Sequence, residues 1–223
     1  MKICVSGSSG KMGARIIELS KDDADLELAG SFDIGEDCEA PIAACDCLIE
    51  FTSPKATMEH LAACEKLGKA IVIGTTGLSD EDKEAIKTAS KKIAVVSSPN
   101  MSVGVNLLFK IVQDAAKTLG PEYHVEVVEA HHTEKKDAPS GTAKEIARIV
   151  KEGKHDAHVP IESIREDDIV GEHTITFDSD VDTIEITHSA KTRDIFAKGA
   201  LKAAKFLAGK SNGLYTMRDV LGL

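Results

Sequence analysis

Fourteen residues, EAHHTEKKDAPSGT from Glu129 to Thr142, gather two adjacent histidines, two adjacent lysines and a Ser-Gly-Thr. Three uses fit such a set: a metal site, an anion site with an acid catalyst, or an ordinary polar loop. A metal wants its donors on one side. His131 and His132 are neighbours at the end of a strand pattern, so they point to opposite faces and would share an ion only across a bend. An anion site suits the residues better. DAPSGTAKEIARIV reads as the start of a helix with apolar positions at Ala143, Ile146, Ala147 and Val150 and with Ser140 as N-cap. The amides and hydroxyls of Ser140, Gly141 and Thr142 then surround a helix N-terminus, which favours a carboxylate or phosphate. Lys135 or Lys136 adds positive charge, and a histidine with an unperturbed pKa of about 6.5 supplies a proton near neutrality. A capped helix beside a solvated basic loop stays open as the plainer account. His155 and His158 read as solvated loop histidines.

A second cluster is GSSGKMG, which sets Gly7, Gly10 and Gly13 at G-x-x-G-x-x-G spacing between a strand pattern and a helix pattern. Glycines there allow a tight turn and close backbone approach to a pyrophosphate at the helix N-terminus. Asp33, about twenty residues past the loop at the end of LAGSFD, is placed to accept hydrogen bonds from an adenosine ribose. The glycine triplet alone is weak; the strand, the helix and the acid together indicate a dinucleotide. Ile34 stands where an arginine would favour a 2′-phosphate, which puts NADH ahead of NADPH, while Lys11 in the loop keeps both open.

The elements that must position these residues fall into two patterns. KICVSG, LELAGSF, CDCLIEF, AIVIGTT and IAVVSS read as strands, alternating with helices in SSGKMGARIIELSK, SPKATMEHLAACEKLG and SDEDKEAIKTASKK. That order implies βαβ units and a mostly parallel sheet, and the near-continuous apolar strands imply helices on both faces. After SPNMSVG the pattern changes to a long helix, VNLLFKIVQDAAKTLG, the strand HVEVVEAHH, the helix TAKEIARIVKEG and the strands EHTITFDS and TIEITHSA. The late strands alternate polar and apolar, so one face is wet or lies against another subunit. DIFAKGALKAAKFLAG closes the chain as an alanine-rich helix.

The totals exclude several classes. The 223 residues suffice for one large or two modest domains, and no apolar run approaches the length of a membrane span. The N-terminus enters a strand pattern directly, without the features of a signal peptide, so a cytoplasmic protein is expected. The five cysteines are odd in number and form no C-x-x-C pair, which argues against disulfides and a thiolate zinc site. A net charge of −10, no basic run, two tyrosines and no tryptophan leave no footprint for nucleic acid.

The segments GSSGKMG, EFTSP, GKAIVIGTTG, SPNMSVGVN, EAHHTEKKDAPSGTA, DIVGEHT, ITHSAKTRDIFAKGA and GLYTMRDVL, in order and spanning nearly the whole chain, resemble the 4-hydroxy-tetrahydrodipicolinate (dihydrodipicolinate) reductase family. The histidine–lysine segment is the most specific of them. The resemblance implies a Rossmann-type parallel-sheet dinucleotide-binding domain at 1–101 and 194–223, with an α+β substrate and oligomerisation domain at 102–193. It implies NADH or NADPH as cofactor, a cyclic dicarboxylate as substrate, no metal and a homotetramer. His131 corresponds to the catalytic acid and Lys135 to the second catalytic residue, while Lys136 falls on a variable position. His132, Ser140, Gly141 and Thr142 correspond to substrate-binding positions. Gly7, Ser8, Ser9, Gly10, Lys11, Met12 and Asp33 correspond to the cofactor segment, joined by Phe51, Thr52, Gly74, Thr75 and Thr76 and by Ser98, Pro99, Asn100 and Met101. Two departures stand out. The chain is short for the family, and REDDIVGEHT replaces a stretch commonly glycine-rich, which alters the shape of that loop but not the chemistry. The residues also admit a cofactor-binding sensor without turnover, a dehydrogenase of another amino acid such as aspartate or homoserine, and a metal-dependent hydrolase.

Overall fold

The computed structural model describes residues 1–154 and 157–223, so His155 lies outside the described residues. The chain divides into two compact units, Met1–Val103 with Phe196–Leu223, and Gly104–Ile195.

The first unit is built on a six-stranded sheet. Its strands are β1 (Lys2–Ser6), β2 (Glu27–Phe32), β3 (Cys47–Glu50), β4 (Ala70–Ile73), β5 (Ala94–Ser97) and β10 (Gly213–Tyr215), in the order β10-β5-β4-β3-β1-β2. Every pairing is parallel. The apolar runs have two buried faces because successive side chains alternate. Ile3, Val5, Cys47 and Ile49 face a core shared with Ala197, Ala200 and Ala204 of the helix α7 (Asp194–Leu207) and with Ile16 of α1 (Lys11–Ser20). Cys4, Leu48, Ile71 and Ile73 face the other core, against Ile42 of α2 (Glu39–Ala44), Leu61 and Cys64 of α3 (Pro54–Leu67) and Ile86 of α4 (Asp80–Ala89). All five cysteines are free thiols, and Cys4, Cys45, Cys47 and Cys64 are buried across the two cores.

Local chemistry sets the helix ends. Ser53 caps α3, accepting from the Ala56 amide at 3.4 Å with Pro54 following it, and Gly68 ends that helix at φ 65°. The acid-rich first turn of α4 is joined by a capping box between Ser79 and Asp82. Gly199 lets α7 pass against the Met101 carbonyl, where an added Cβ would collide.

The second unit packs the helix α5 (Val103–Thr118) and the helix α6 (Gly141–Gly153) on a four-stranded sheet, order β7-β6-β8-β9. Its strands are β6 (His124–His131), β7 (Ile161–Arg165), β8 (Glu172–Asp178) and β9 (Thr183–Ser189). β6 pairs parallel to β7 and antiparallel to β8, and β8 antiparallel to β9. Ala143, Ile146, Ala147 and Val150 of α6 enter its core with Val125, Val127, Ile175 and Phe177. The alternation in β8 buries His173, Ile175 and Phe177 and leaves Glu172 and Asp178 exposed.

Four elements go beyond the sequence reading: α2, β7, β10 and α8 (Met217–Leu221). Each is six residues or fewer, too short for periodicity to register. β7 gains its strand character from β6, where Val127 pairs with Ile161 and His131 with Arg165.

Candidate functional site

Each unit carries a cluster of the residues singled out above. In the first, Gly7 adopts φ 66°, turning the chain out of β1, and its carbonyl accepts from the Gly10 amide at 3.0 Å. A Cβ on Gly13 would collide with the Gly7 carbonyl, so the helix can start this close to the strand only with glycine there. Gly10 is the N-cap of α1, with no side-chain cap bond, no acid in the first turn, and Lys11 as its first residue. That end is left for an anion, unlike the side-chain-capped starts of α3, α4 and α6. Asp33 follows β2 and accepts from the Ser9 amide at 2.8 Å and from the Ser9 hydroxyl. These bonds, the hydroxyl first, hold its carboxyl below the usual range. The loop and the acid are thus joined through Ser9, at the point where strand order reverses between β2 and β3 around β1. A dinucleotide fits this cradle: close backbone, uncapped amides, one lysine and one acid.

Two of the remaining residues of this unit, Thr52 and Thr75, meet on the buried Glu50 at the end of β3. Its carboxylate accepts from the Thr52 amide at 3.0 Å, the Thr57 hydroxyl at 3.0 Å, the Thr75 hydroxyl at 3.1 Å and the Thr52 hydroxyl. Thr52 and Thr75 lie on successive strand ends, so one carboxylate ties the Phe51-Thr52 and Gly74-Thr75-Thr76 loops together. Gly74 is required by Phe51, whose ring occupies the space a Cβ would need. Thr76 is exposed. Ser98 is anchored by its amide to the Ile73 carbonyl at 3.2 Å and its hydroxyl reaches the Asn100 carbonyl at 2.8 Å. Pro99 is exposed and Met101 is buried. Glu50 was not singled out in the sequence; its only signal is an acid ending an apolar strand.

In the second unit the site grows from the end of β6. His131 is 8% exposed and Glu129, two residues before it on the same face, is 0% exposed. His131 Nδ1 bonds Glu129 Oε2. The other bonds to the carboxylate come from Arg165 at the end of β7, with Nη1 to Oε2 at 3.0 Å and Nη2 to Oε1 at 2.8 Å, and from the Ser140 amide to Oε1 at 3.2 Å. Burial alone would raise the Glu129 carboxyl, but the Arg165 and His131 bonds and the Ser140 amide bring it down to about 2. His131 is lowered from its ordinary value, first by burial and further by Lys135 and Arg165, with Glu129 opposing.

Ser140 caps α6, its hydroxyl accepting from the Ala143 amide at 3.2 Å and meeting His173 Nε2 at 3.2 Å. His173 is paired across the sheet with Glu129, and its ring stands edge-on to His131 at 5.2 Å. Burial, then the neighbouring His131, drives its pKa down to about 3, so it is neutral at pH 7. Gly141 opens α6 into space, and among the described residues a Cβ there would meet nothing within 4 Å. Lys135 is half-buried and paired with Asp137 at 2.8 Å, whereas Lys136 is exposed. His132 points away from His131, toward Arg193 at 3.5 Å. His158 is exposed. The REDDIVG segment curls round this strand end. The Glu166 amide donates to the His131 carbonyl at 3.0 Å, and the His132 amide to the Ile169 carbonyl at 2.7 Å. Gly171 brings backbone against the ring; a Cβ on it would lie 3.0 Å from His131 Nε2.

The histidine–lysine segment thus places His131, Lys135 and the α6 N-terminus on one strand end, while the Ser140 amide and hydroxyl serve the protein's own network. Sequence reasoning missed Glu129, Arg165, Gly171 and His173. All four lay inside quoted motifs, and only pairing across the sheet joins Glu129 to Arg165 and His173. Among the described residues no three His, Cys, Asp or Glu side chains gather as metal ligands.

Residues 1–101 match the family description "Dihydrodipicolinate reductase, N-terminus" and residues 104–221 "Dihydrodipicolinate reductase, C-terminus".

The chain belongs to the dihydrodipicolinate reductase family.

Proteins named 4-hydroxy-tetrahydrodipicolinate reductase are 45% identical in Hahella chejuensis, covering 100% of this chain and 99% of that protein, and 41% identical in Aromatoleum aromaticum, covering 100% and 96%. Among solved structures, the fold is similar to a dipicolinate-bound dihydrodipicolinate reductase from Paenisporosarcina sp. TG-14, with TM-score 0.85, 23% identity and 97% of each chain covered. A probable dehydrogenase from Thermotoga maritima shares the fold at TM-score 0.65 and 15% identity, over 99% of this chain and 92% of that one. The fold is a Rossmann-type parallel sheet with a mixed-sheet C-terminal unit, as the dihydrodipicolinate reductase resemblance implied. No helix among the described residues is long and apolar enough to cross a membrane.

Proposed function

We propose that the chain reduces 4-hydroxy-tetrahydrodipicolinate (dihydrodipicolinate) to tetrahydrodipicolinate in diaminopimelate and lysine biosynthesis, with NAD(P)H as reductant. The observation that carries this reading is His131 held beside an α6 N-terminus and Lys135 on one strand end, in a chain that matches the family along both units. The Paenisporosarcina reductase was solved with dipicolinate, a planar dicarboxylate of the same class as the proposed substrate.

The Gly7–Met12 loop would hold the pyrophosphate of a reduced dinucleotide, which when bound would supply the hydride. The protein's residues do the rest. Gly141, Thr142 and Lys135 take one carboxylate, as a helix N-terminus and an ammonium favour an anion, and His132 binds from the adjacent position. Negative charge grows on the conjugated imine as hydride arrives, so Lys135 and the α6 N-terminus stabilise the transition state beyond the ground state. His131 Nε2 gives the proton. The hydroxyl leaves as water, so each turnover takes up one hydride and one proton. Gly74, Thr75, Thr76 and Phe51 with Thr52 line the nicotinamide end, and Ser98–Met101 borders it. Residues 1–101 and 194–223 form the cofactor domain and 102–193 the substrate and oligomerisation domain. Asp33 favours NADH over NADPH by repelling a 2′-phosphate. The exposed face of β8 and β9 suits contact between copies in a homotetramer, and the enzyme works in the cytoplasm.

The test is a coupled assay in which a synthase makes the substrate from pyruvate and aspartate semialdehyde. Oxidation of NADH and of NADPH is followed in wild type, His131→Gln and Lys135→Ala. Rapid oxidation with a large loss in both variants is expected. A folded wild type that binds NADH yet oxidises neither cofactor refutes the reading and leaves a cofactor-binding sensor in its place.

A further inference from the structure

We propose that Glu129, backed by Arg165, is the positioning residue of the acid, holding His131 in one tautomer and orientation with Nδ1–H on the carboxylate and Nε2 left for the ligand. This rests on the reading of His131 as proton donor and adds the group that makes it one.

The geometry decides the tautomer. Both Glu129 oxygens are occupied by donors: Oε1 by Arg165 Nη2 and the Ser140 amide, Oε2 by Arg165 Nη1 and His131 Nδ1. A carboxylate with four such bonds has no proton to give, so the hydrogen in its bond to His131 belongs to Nδ1. The ring is then fixed at one nitrogen, stands edge-on to His173 at 5.2 Å, and has Gly171 backbone beside Nε2. Only at Nε2 can a second proton enter or leave. In the reaction the Nε2–H bond breaks and its proton goes to the substrate ring as the hydride is added. The Nδ1 proton stays throughout, and solvent restores the one lost.

The charges facing His131 explain why a carboxylate alone would not serve. Glu129 on β6 favours the imidazolium. Lys135 with its partner Asp137 from the following loop, Arg165 from β7 and the neutral His173 from β8 complete the surroundings. Arg165 bonds both carboxylate oxygens, sharing Oε2 with His131 Nδ1, and also donates to the Asp137 carbonyl at 2.6 Å. It holds Glu129 ionised while tempering its pull on the imidazole, so the imidazolium stays acidic enough to release its proton. Arg165 therefore acts oppositely to Glu129 on His131.

Two single variants test this with opposite signs. Glu129→Gln keeps the shape and removes the charge; Arg165→Gln leaves Glu129 ionised with one cation fewer. His131 is titrated by NMR of its ring nitrogens in the ligand-free protein, and the limb of kcat/KM that falls as the acid deprotonates is measured in parallel. Glu129→Gln should lower the protonated fraction of His131 at a given pH about tenfold and move the limb about one unit down. Arg165→Gln should move both the other way. The wild-type ring nitrogens should report the Nδ1–H tautomer above the transition. If a single variant does not fold, the double variant Glu129→Gln/Arg165→Gln, free of any unpaired buried charge, should titrate below wild type because the nearer charge is the one lost. A titration unmoved by Glu129→Gln, or an Nε2–H tautomer in wild type, overturns the positioning role alone. A titration that moves while the rate limb stays in place overturns His131 as the acid, and the catalytic meaning of Glu129 with it.

Discussion

Gly171→Ala probes whether His131 Nε2 is the reacting atom. A Cβ at position 171 would lie 3.0 Å from Nε2 and 3.3 Å from Cδ2. Relief to ordinary contact needs roughly half an ångström of retreat. The ring cannot slide along its own axis, because Nδ1 is tied to Glu129 and Glu129 to Arg165. It must tilt about that bond, which moves Nε2 most. Misplacement by about 1 Å costs on the order of a hundredfold in rate, so half that distance costs about tenfold, or roughly 1.4 kcal/mol of transition-state stabilisation. The tilt strains the side chain by about 1 kcal/mol, and φ 159° at position 171 adds backbone strain on the order of 1–3 kcal/mol, so the melting temperature should fall by about 4–16 °C. The assay is kcat in the coupled reductase reaction beside a thermal melt. Gly68→Ala is the control. Its φ of 65° strains any side chain, yet a Cβ there meets nothing among the described residues within 4 Å, so it should lose stability and keep its rate. A Gly171→Ala enzyme with the full wild-type rate would refute the assignment of Nε2 as the reacting face.

Further outcomes follow from other buried groups. His173 has its folded pKa lowered from 6.5 to about 3, so its contribution to stability is present above about pH 6.5 and is lost as pH falls toward the folded value. Between pH 6.5 and 4.5 this amounts to about 2–3 kcal/mol; His173→Gln should show that much less loss in urea unfolding over that window, and equal slopes in both proteins would contradict it. Glu50→Ala leaves the Thr52 amide and the buried Thr57 and Thr75 hydroxyls without their shared acceptor, costing on the order of 3 kcal/mol and weakening NADH binding; a change below about 1 kcal/mol would remove Glu50 as the tie between those loops. Gly13→Ala drives a methyl into the Gly7 carbonyl and should weaken NADH at least about tenfold by fluorescence titration with the fold retained, whereas an unchanged affinity would place the cofactor elsewhere.

Local pattern by itself determined much of this protein. The alternation of strands and helices implied the parallel sheet because apolar runs such as CLIE and AIVI can be satisfied only with both faces covered. Ser140 was readable as an N-cap, and Ala143, Ile146, Ala147 and Val150 as a buried face, because a helix repeats within four residues. GSSGKMG and Asp33 were readable because a turn, a helix start and a strand end each have short-range requirements. The tertiary structure alone decided which distant residues share a site. β7 is a strand because β6 offers it a partner, and Arg165 reaches Glu129 only through that pairing, across 36 positions of chain. His173 meets Ser140 through the antiparallel register of β6 and β8. Glu50 joins two loops because parallel strands end at the same edge. Burial and charge, which set the protonation of Glu129, His131 and His173, come from these long-range pairings and have no signature in local spacing.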